Sequence, residues 1–226
     1  MAAMREYSGR SFERFVNFTD AIVAIAITLL VLPLLDIDGP KGSETVWNVL
    51  ADNFGQIFSF ALAFALVAQN WLVHNRVFSS MRAFNLPVFW LNAIWLGAIV
   101  LLPWATSMYG SADQWDSSGE GFGGTGLFFF GLLAVMSLAV GVVSAYVVTR
   151  PALIDRELEP ERSAERRAGI FRSILFTITF LLVGISTVYF PGVGGYFAIL
   201  VLPIGIFLGR KARRRNEHAD AADHEQ

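Results

Sequence analysis

The sequence predicts an all-α integral membrane protein with six transmembrane helices per subunit. Two observations carry this. First, 54% of the 226 residues are hydrophobic, and they gather into six apolar runs at roughly 15–35, 51–73, 87–109, 125–149, 170–190 and 193–209. About 17–25 residues is the length a helix needs to cross a bilayer. Second, sixteen of the seventeen Lys and Arg lie before the first run, between the second and third, from the end of the fourth to the start of the fifth, or after the sixth, and only Lys41 lies on the other side. By the positive-inside rule both termini are expected in the cytoplasm. The expected organisation is a six-helix membrane domain over 1–209 and a charged cytoplasmic tail over 210–226. The runs and their loops leave no room within these residues for a soluble catalytic domain, so an enzyme is not expected.

The first run holds Arg14, Phe18, Thr19 and Asp20, followed by Ala24-Ile-Ala-Ile-Thr-Leu-Leu-Val-Leu32. Residues 1–13 are polar and are expected to be helical, feeding into it. Asp20 is a carboxylate inside a membrane span, so it must face protein or water and have a partner. Ile25, Leu29 and Leu32 recur at i, i+4 and i+7 and fall in one stripe at about 100° per residue. Asp20 projects roughly opposite. If the helix stays regular past Pro33, the stripe runs from Phe18 to Asp36. Spacing alone also suits lipid contact or bundle core. The loop 36–48 is turn-rich and expected to be external.

The second run ends Ala68-Gln-Asn-Trp71-Leu-Val-His74-Asn75-Arg76-Val-Phe78. Trp71 and His74 lie three apart on one helix face, and an indole N–H or an imidazole can satisfy a buried carboxylate. Trp71, His74 and Arg14 are therefore candidate partners for Asp20. A Trp and a His at the inner membrane surface are the alternative. The third run carries Asn92, Pro103, Trp104 and Thr106; Pro103 is tolerable because neighbours re-satisfy freed backbone groups in a membrane helix. Pro151 is expected to stop the fourth helix, and residues 152–168, dense in Glu and Arg, suit a solvated helix. The last three runs carry no chemical motif. Gly131, Gly141, Gly184 and Gly194 permit close helix packing.

There is no cysteine, and His218 and His224 have no ligand spacing with His74, so neither a metal site nor a cofactor is expected. The basic clusters read as topology signals and not as a nucleic-acid footprint.

The ordered elements Arg14, Phe18-Thr19-Asp20 and Ala24–Leu32 resemble the signature of the transmembrane protein 175 family of potassium channels. Thr19 replaces the usual Ser and keeps the hydroxyl. Trp71, His74 and Phe78 resemble the family's second-helix pattern, with Asn75 in place of a second His. Asn92 and Pro103 resemble its third-helix pattern, with Trp104 in place of Phe. The resemblance covers residues 14–106 and points to a prokaryotic member. It implies a non-canonical potassium channel architecture in the plasma membrane, a homotetramer within the lipid bilayer, and potassium as the permeant ion. It implies that the first helix lines the pore, with Ile25, Leu29 and Leu32 as an apolar constriction. Thr28, about 60° off that stripe, is a candidate pore hydroxyl, and Asp36 a candidate outer-vestibule carboxylate. It also implies a structural polar network of Arg14, Thr19, Asp20, Trp71, His74 and Asn92. Two other readings of the residues are a secondary transporter relaying protons through Asp20 and His74, and a membrane structural protein. Transporters commonly show internal repeats and broken helices, and neither is visible in the sequence.

Overall fold

The computed structural model describes residues 6–111, 124–155 and 159–190, with side chains at 6–111, 124–155 and 167–190. The sixth apolar run, Gly194, the charged tail and most of the loop 110–124 lie outside the described residues.

Helix α1 spans Arg10–Leu29. It does not begin earlier because Tyr7–Ser8 forms a strand, β1, followed by Gly9 at φ 57. That left-handed backbone suits glycine and breaks the chain direction. The helix expected over 1–13 is thus found from Arg10 onward, and Tyr7–Gly9 is corrected to a strand and a turn. At the other end, Pro33 has no N–H to reach the Leu29 carbonyl, and its ring crowds that carbonyl. The chain tightens into a 3₁₀ turn over Leu32–Asp36. A regular α-helical stripe therefore stops before Leu32.

The connection between the first two spans is more ordered than its composition suggests. Helix α2, Val46–Asp52, starts at a capping box. The Thr45 hydroxyl accepts from the Asn48 N–H at 3.4 Å, and the Asn48 side chain accepts from the Thr45 N–H at 3.0 Å. Asn53 separates α2 from α3, Phe54–Phe78. Helix α4, Leu86–Gly110, is capped by Asn85, whose side chain accepts from the Val88 N–H at 3.3 Å. It continues through Pro103. Helix α5, Thr125–Val148, stops before Pro151, which opens a 3₁₀ turn over Pro151–Leu153. Helix α6, Glu159–Tyr189, joins most of the solvated segment and the fifth span in one helix.

Among the described residues, five helical segments are long and apolar enough to cross a membrane: Arg10–Asp36, Phe54–Phe78, Leu86–Gly110, Thr125–Val148 and Arg167–Tyr189. They alternate in direction. The N-terminus, the α3–α4 connection and the α5–α6 connection consequently meet at one end, and there they bond to one another. Strand β1 pairs antiparallel with β2, Ala83–Phe84, in the register Tyr7 to Phe84 and Ser8 to Ala83. Met81 bridges Ile154, and the Arg82 N–H donates to the Leu153 carbonyl at 3.0 Å. Tyr7 stacks on Phe84 at 5.2 Å, and Phe84 stacks on Phe15 of α1 at 4.3 Å. The clasp therefore ties the start of α1 to the α3–α4 connection.

Helix α5 is the core element, with Phe129, Phe130, Leu133, Met136 and Val147 fully buried. Its contact with α6 is close because small residues meet there. A Cβ at Gly141 would lie 2.8 Å from Cβ of Ser173, and one at Gly184 would lie 3.2 Å from Cβ of Phe130. Gly126 approaches Thr187 in the same way. Gly131, expected to pack closely, instead faces open space. Gly141→Ala should force α5 and α6 apart and destabilise the protein by about 1–3 kcal/mol. Gly131→Ala should leave stability unchanged or raise it by up to ~1 kcal/mol. Thermal unfolding of both variants in detergent distinguishes the two sites.

Candidate functional site

Helix α1 has two dissimilar faces. Phe15, Thr19, Val23 and Ala26 are buried against the bundle, and Leu30, just past the helix end, is 1% exposed. The opposite face looks away from every described element. On it Phe18 is 61% exposed, Ile25 60%, Leu29 39% and Leu32 50%. Thr28 and Asp36 are exposed as well. The Thr28 hydroxyl donates to the Ile25 carbonyl at 2.7 Å. Ile25 and Leu29 share a stripe by α-helical period, whereas Leu32 and Asp36 reach the exposed side by way of the 3₁₀ turn.

The buried face is held by polar side chains. The Thr19 hydroxyl donates to the Phe15 carbonyl at 3.0 Å and accepts from the Asn92 amide at 2.8 Å. With its NH₂ turned to Thr19, Asn92 presents its oxygen to His74 Nε2 at 2.8 Å. That assignment makes Nε2 the protonated nitrogen. Thr19, Asn92 and His74 are all buried, so one amide joins α1, α4 and α3 in the interior. Asp20, half-buried, accepts from the Trp71 indole N–H at 2.9 Å. Of the three partners the sequence offered to Asp20, the structure brings up Trp71. His74 bonds Asn92 instead. Arg14 is exposed and forms no ion pair with Asp20; Lys41–Asp38 is the ion pair among the described residues.

The anchor extends further than the sequence indicated. The His74 ring lies between Phe78 at 4.1 Å and Trp95 at 3.9 Å, stacked on both. Trp95 donates its indole N–H to Asn70 Oδ1 at 2.8 Å, and the Asn70 amide donates to the Ser137 hydroxyl at 3.1 Å. Polar contacts thus run from α1 through α4 and α3 to α5. Asn70, Trp95 and Ser137 escaped the sequence reading, although each is a hydrogen-bonding group well inside an apolar run. Such groups need partners when water is absent. Among the described residues no three His, Cys, Asp or Glu side chains gather in a set that could hold a metal ion.

The arrangement fixes the rotation of α1. Polar bonds at neighbouring positions 19 and 20 point it inward, so its apolar stripe must point outward. Asp20→Ala removes a charged acceptor from Trp71, and Trp71→Phe removes the donor from Asp20. Hydrogen bonds to charged groups contribute about 1.5–3 kcal/mol. A double-mutant cycle on detergent stability should return a coupling of that order. Additive losses would show that the pair does not hold the helix.

Known proteins bear on this geometry. The family model for the endosomal/lysosomal potassium channel TMEM175 matches residues 14–103, the stretch from Arg14 of α1 to Pro103 of α4. A potassium channel of Streptomyces collinus is 31% identical over 97 residues, covering 42% of this chain and 46% of that protein. The match thus spans about half the length of that relative. A potassium channel of a Chryseobacterium species is 25% identical over 192 residues, covering 84% of this chain and 90% of that protein. The crystal structure of a lysosomal potassium-selective channel TMEM175 homologue from Chamaesiphon minutus shares the fold. Its TM-score is 0.66 at 19% identity, covering 90% of this chain and 98% of that one. The signature on α1 and the polar anchor on α3 and α4 that holds it fall in the stretch that is similar to the TMEM175 family, and the helical fold is shared with a solved homologue of that family.

Proposed function

We propose that the protein is a potassium-selective channel whose pore is lined by α1. The observation that carries this reading is the exposed apolar stripe on a helix otherwise pinned by buried polar bonds. A polar anchor of this kind is unnecessary for a helix that only faces lipid. It suits a helix that must offer a fixed face to copies of itself around an axis. The potassium channels among the similar proteins supply the ion. The pore forms at the centre of a homotetramer, as the resemblance to the TMEM175 family implies; one chain offers one such helix, and a closed ring of copies can surround an axis. Ile25, Leu29 and Leu32 form the constriction, which conducts when wetted and closes by dewetting. Thr28 supplies a hydroxyl beside it, and Asp36 lies at the outer mouth. The chain sits in a prokaryotic plasma membrane with both termini cytoplasmic, so the bonded end with β1 and β2 faces the cytosol. Asp20 and His74 have separate partners, Trp71 and Asn92, which favours an anchoring role over a proton relay between them.

Purified protein in liposomes under a potassium gradient tests the activity. The expected outcome is passive potassium current with no coupled ion; obligatory coupling would make it a transporter.

Ile25→Asn places amides at the constriction and lowers the cost of wetting it. Conductance should rise and potassium preference fall. Leu30→Asn buries an amide on the opposite side of the chain and should cost stability by about 1–3 kcal/mol without widening the pore. Single-channel recordings and melting curves separate the two. A change of conductance with Leu30→Asn but not with Ile25→Asn would mean the face is assigned wrongly. For orientation, a cysteine at Ser111 should react with an impermeant reagent from outside, and one at Ala219 should not. Reversed labelling would invert the topology.

A further inference from the structure

At the end of the bundle that holds β1 and β2, two arginines flank the same 3₁₀ turn. Arg82 is fixed by its backbone N–H on the Leu153 carbonyl at 3.0 Å and by its side-chain Nε on the Ala152 carbonyl at 2.9 Å. The terminal N–H groups of its guanidinium remain for another acceptor. Arg150, immediately before the turn, sets its guanidinium over the Tyr146 ring, 5.7 Å from the centroid. The Tyr146 hydroxyl in turn accepts from the Asn85 amide at 3.0 Å. Both arginine side chains are exposed. Among the described residues no carboxylate lies within ion-pair distance of either, and the described ion pair, Lys41–Asp38, is at the opposite end. Asp155, the acid closest to the turn in sequence, is tied by its backbone N–H to the Ser80 carbonyl at 3.2 Å.

An apolar strip starts beside these arginines. Leu86, next to Asn85, is 58% exposed, and Trp90, one turn further along α4, is 60% exposed. Trp90 lies about 6 Å deeper along the helix axis. An exposed tryptophan near the end of a membrane helix sits at headgroup level. Two oriented guanidiniums with no carboxylate beside them among the described residues, above such a strip, match an acidic group that carries hydrocarbon. Guanidinium pairs bind phosphate in a defined geometry, and groups already held in place lose little freedom on binding.

We propose that Arg82 and Arg150 form a docking surface for the phosphate of an anionic phospholipid, whose acyl chains lie along α4 over Leu86 and Trp90. A soluble acidic peptide or nucleic acid would satisfy the charges but leave the membrane-level strip unused. The assignment of this end to the cytosol decides only which leaflet supplies the lipid. The test below is done in detergent, so its failure counts against the site and not against the orientation.

Protein purified in mild detergent is mixed with equal phosphatidylglycerol and phosphatidylcholine, and retained lipid is counted by native mass spectrometry. The wild type should retain phosphatidylglycerol preferentially. A basic side chain near an anionic headgroup is worth about fivefold in binding. Arg150→Gln should therefore lose about fivefold of the preference, and the Arg82→Gln/Arg150→Gln double variant roughly 25-fold. Arg10→Gln, at the same end but away from the turn, should lose none. Arg150→Gln removes no side-chain hydrogen bond among the described residues, so it decides the matter if the double variant fails to fold. Unchanged preference in Arg150→Gln, or equal loss in Arg10→Gln, overturns the proposal. Displacement of the lipid by excess inorganic phosphate also overturns it, because the acyl chains would then contribute nothing.

Discussion

Polar side chains in a membrane interior must find partners, and the rest of this structure depends on how α1 meets that demand. Thr19 and Asp20 are adjacent, and both are bonded inward, to Asn92 and Trp71 respectively. In water such bonds exchange with solvent and contribute little; in hydrocarbon the alternative is an unsatisfied group, which is costly. The two bonds therefore act as a rotational lock. With positions 19 and 20 turned to the bundle, positions 18, 25 and 29 turn away from it.

The lock is only as firm as what stands behind it. Asn92 is backed by His74, and His74 is stacked between Phe78 and Trp95. Trp95 is fixed by Asn70, which bonds Ser137 on the most buried helix. At the base of α1, Phe15 stacks on Phe84, and β1 pairs with β2. Helix α1 is thus held at two heights: by hydrogen bonds within the span and by ring stacking and strand pairing at its start. At its upper end the buried Leu30 packs into the core, and beyond it Pro33 ends the α-helical bonding pattern and a 3₁₀ turn follows. Motion confined to the upper end would alter Leu32 and Asp36 before Ile25.

Close packing and polar anchoring divide the bundle between them. Helices α5 and α6 meet through glycines and small hydroxyl residues, which bring their backbones together and gain from dispersion contacts. Helix α1 contributes few buried residues and relies on specific bonds. That division places a rigid pair away from the candidate pore face and a helix of fixed rotation on it.

The sequence by itself determined the class and the five described spans, and it singled out several of the polar residues that hydrogen-bond around α1. Length and apolarity define the described membrane helices to within a few residues, since a bilayer imposes both. The charged and polar residues within apolar runs, Asp20, Trp71, His74 and Asn92, stand out because each needs a reason to be there. Periodicity also separated the Ile25–Leu29 stripe from Asp20. Tertiary structure decided which polar groups meet. The sequence offered three partners for Asp20, and only packing selects Trp71, turns His74 to Asn92 and leaves Arg14 outside. It decided that Tyr7 and Ser8 pair as a strand, because the partner strand lies some seventy-five residues away and no local pattern announces it. It also decided that the stripe changes geometry at Pro33. Composition records which groups need partners; distance in space, which the chain reaches only on folding, determines which partners they get.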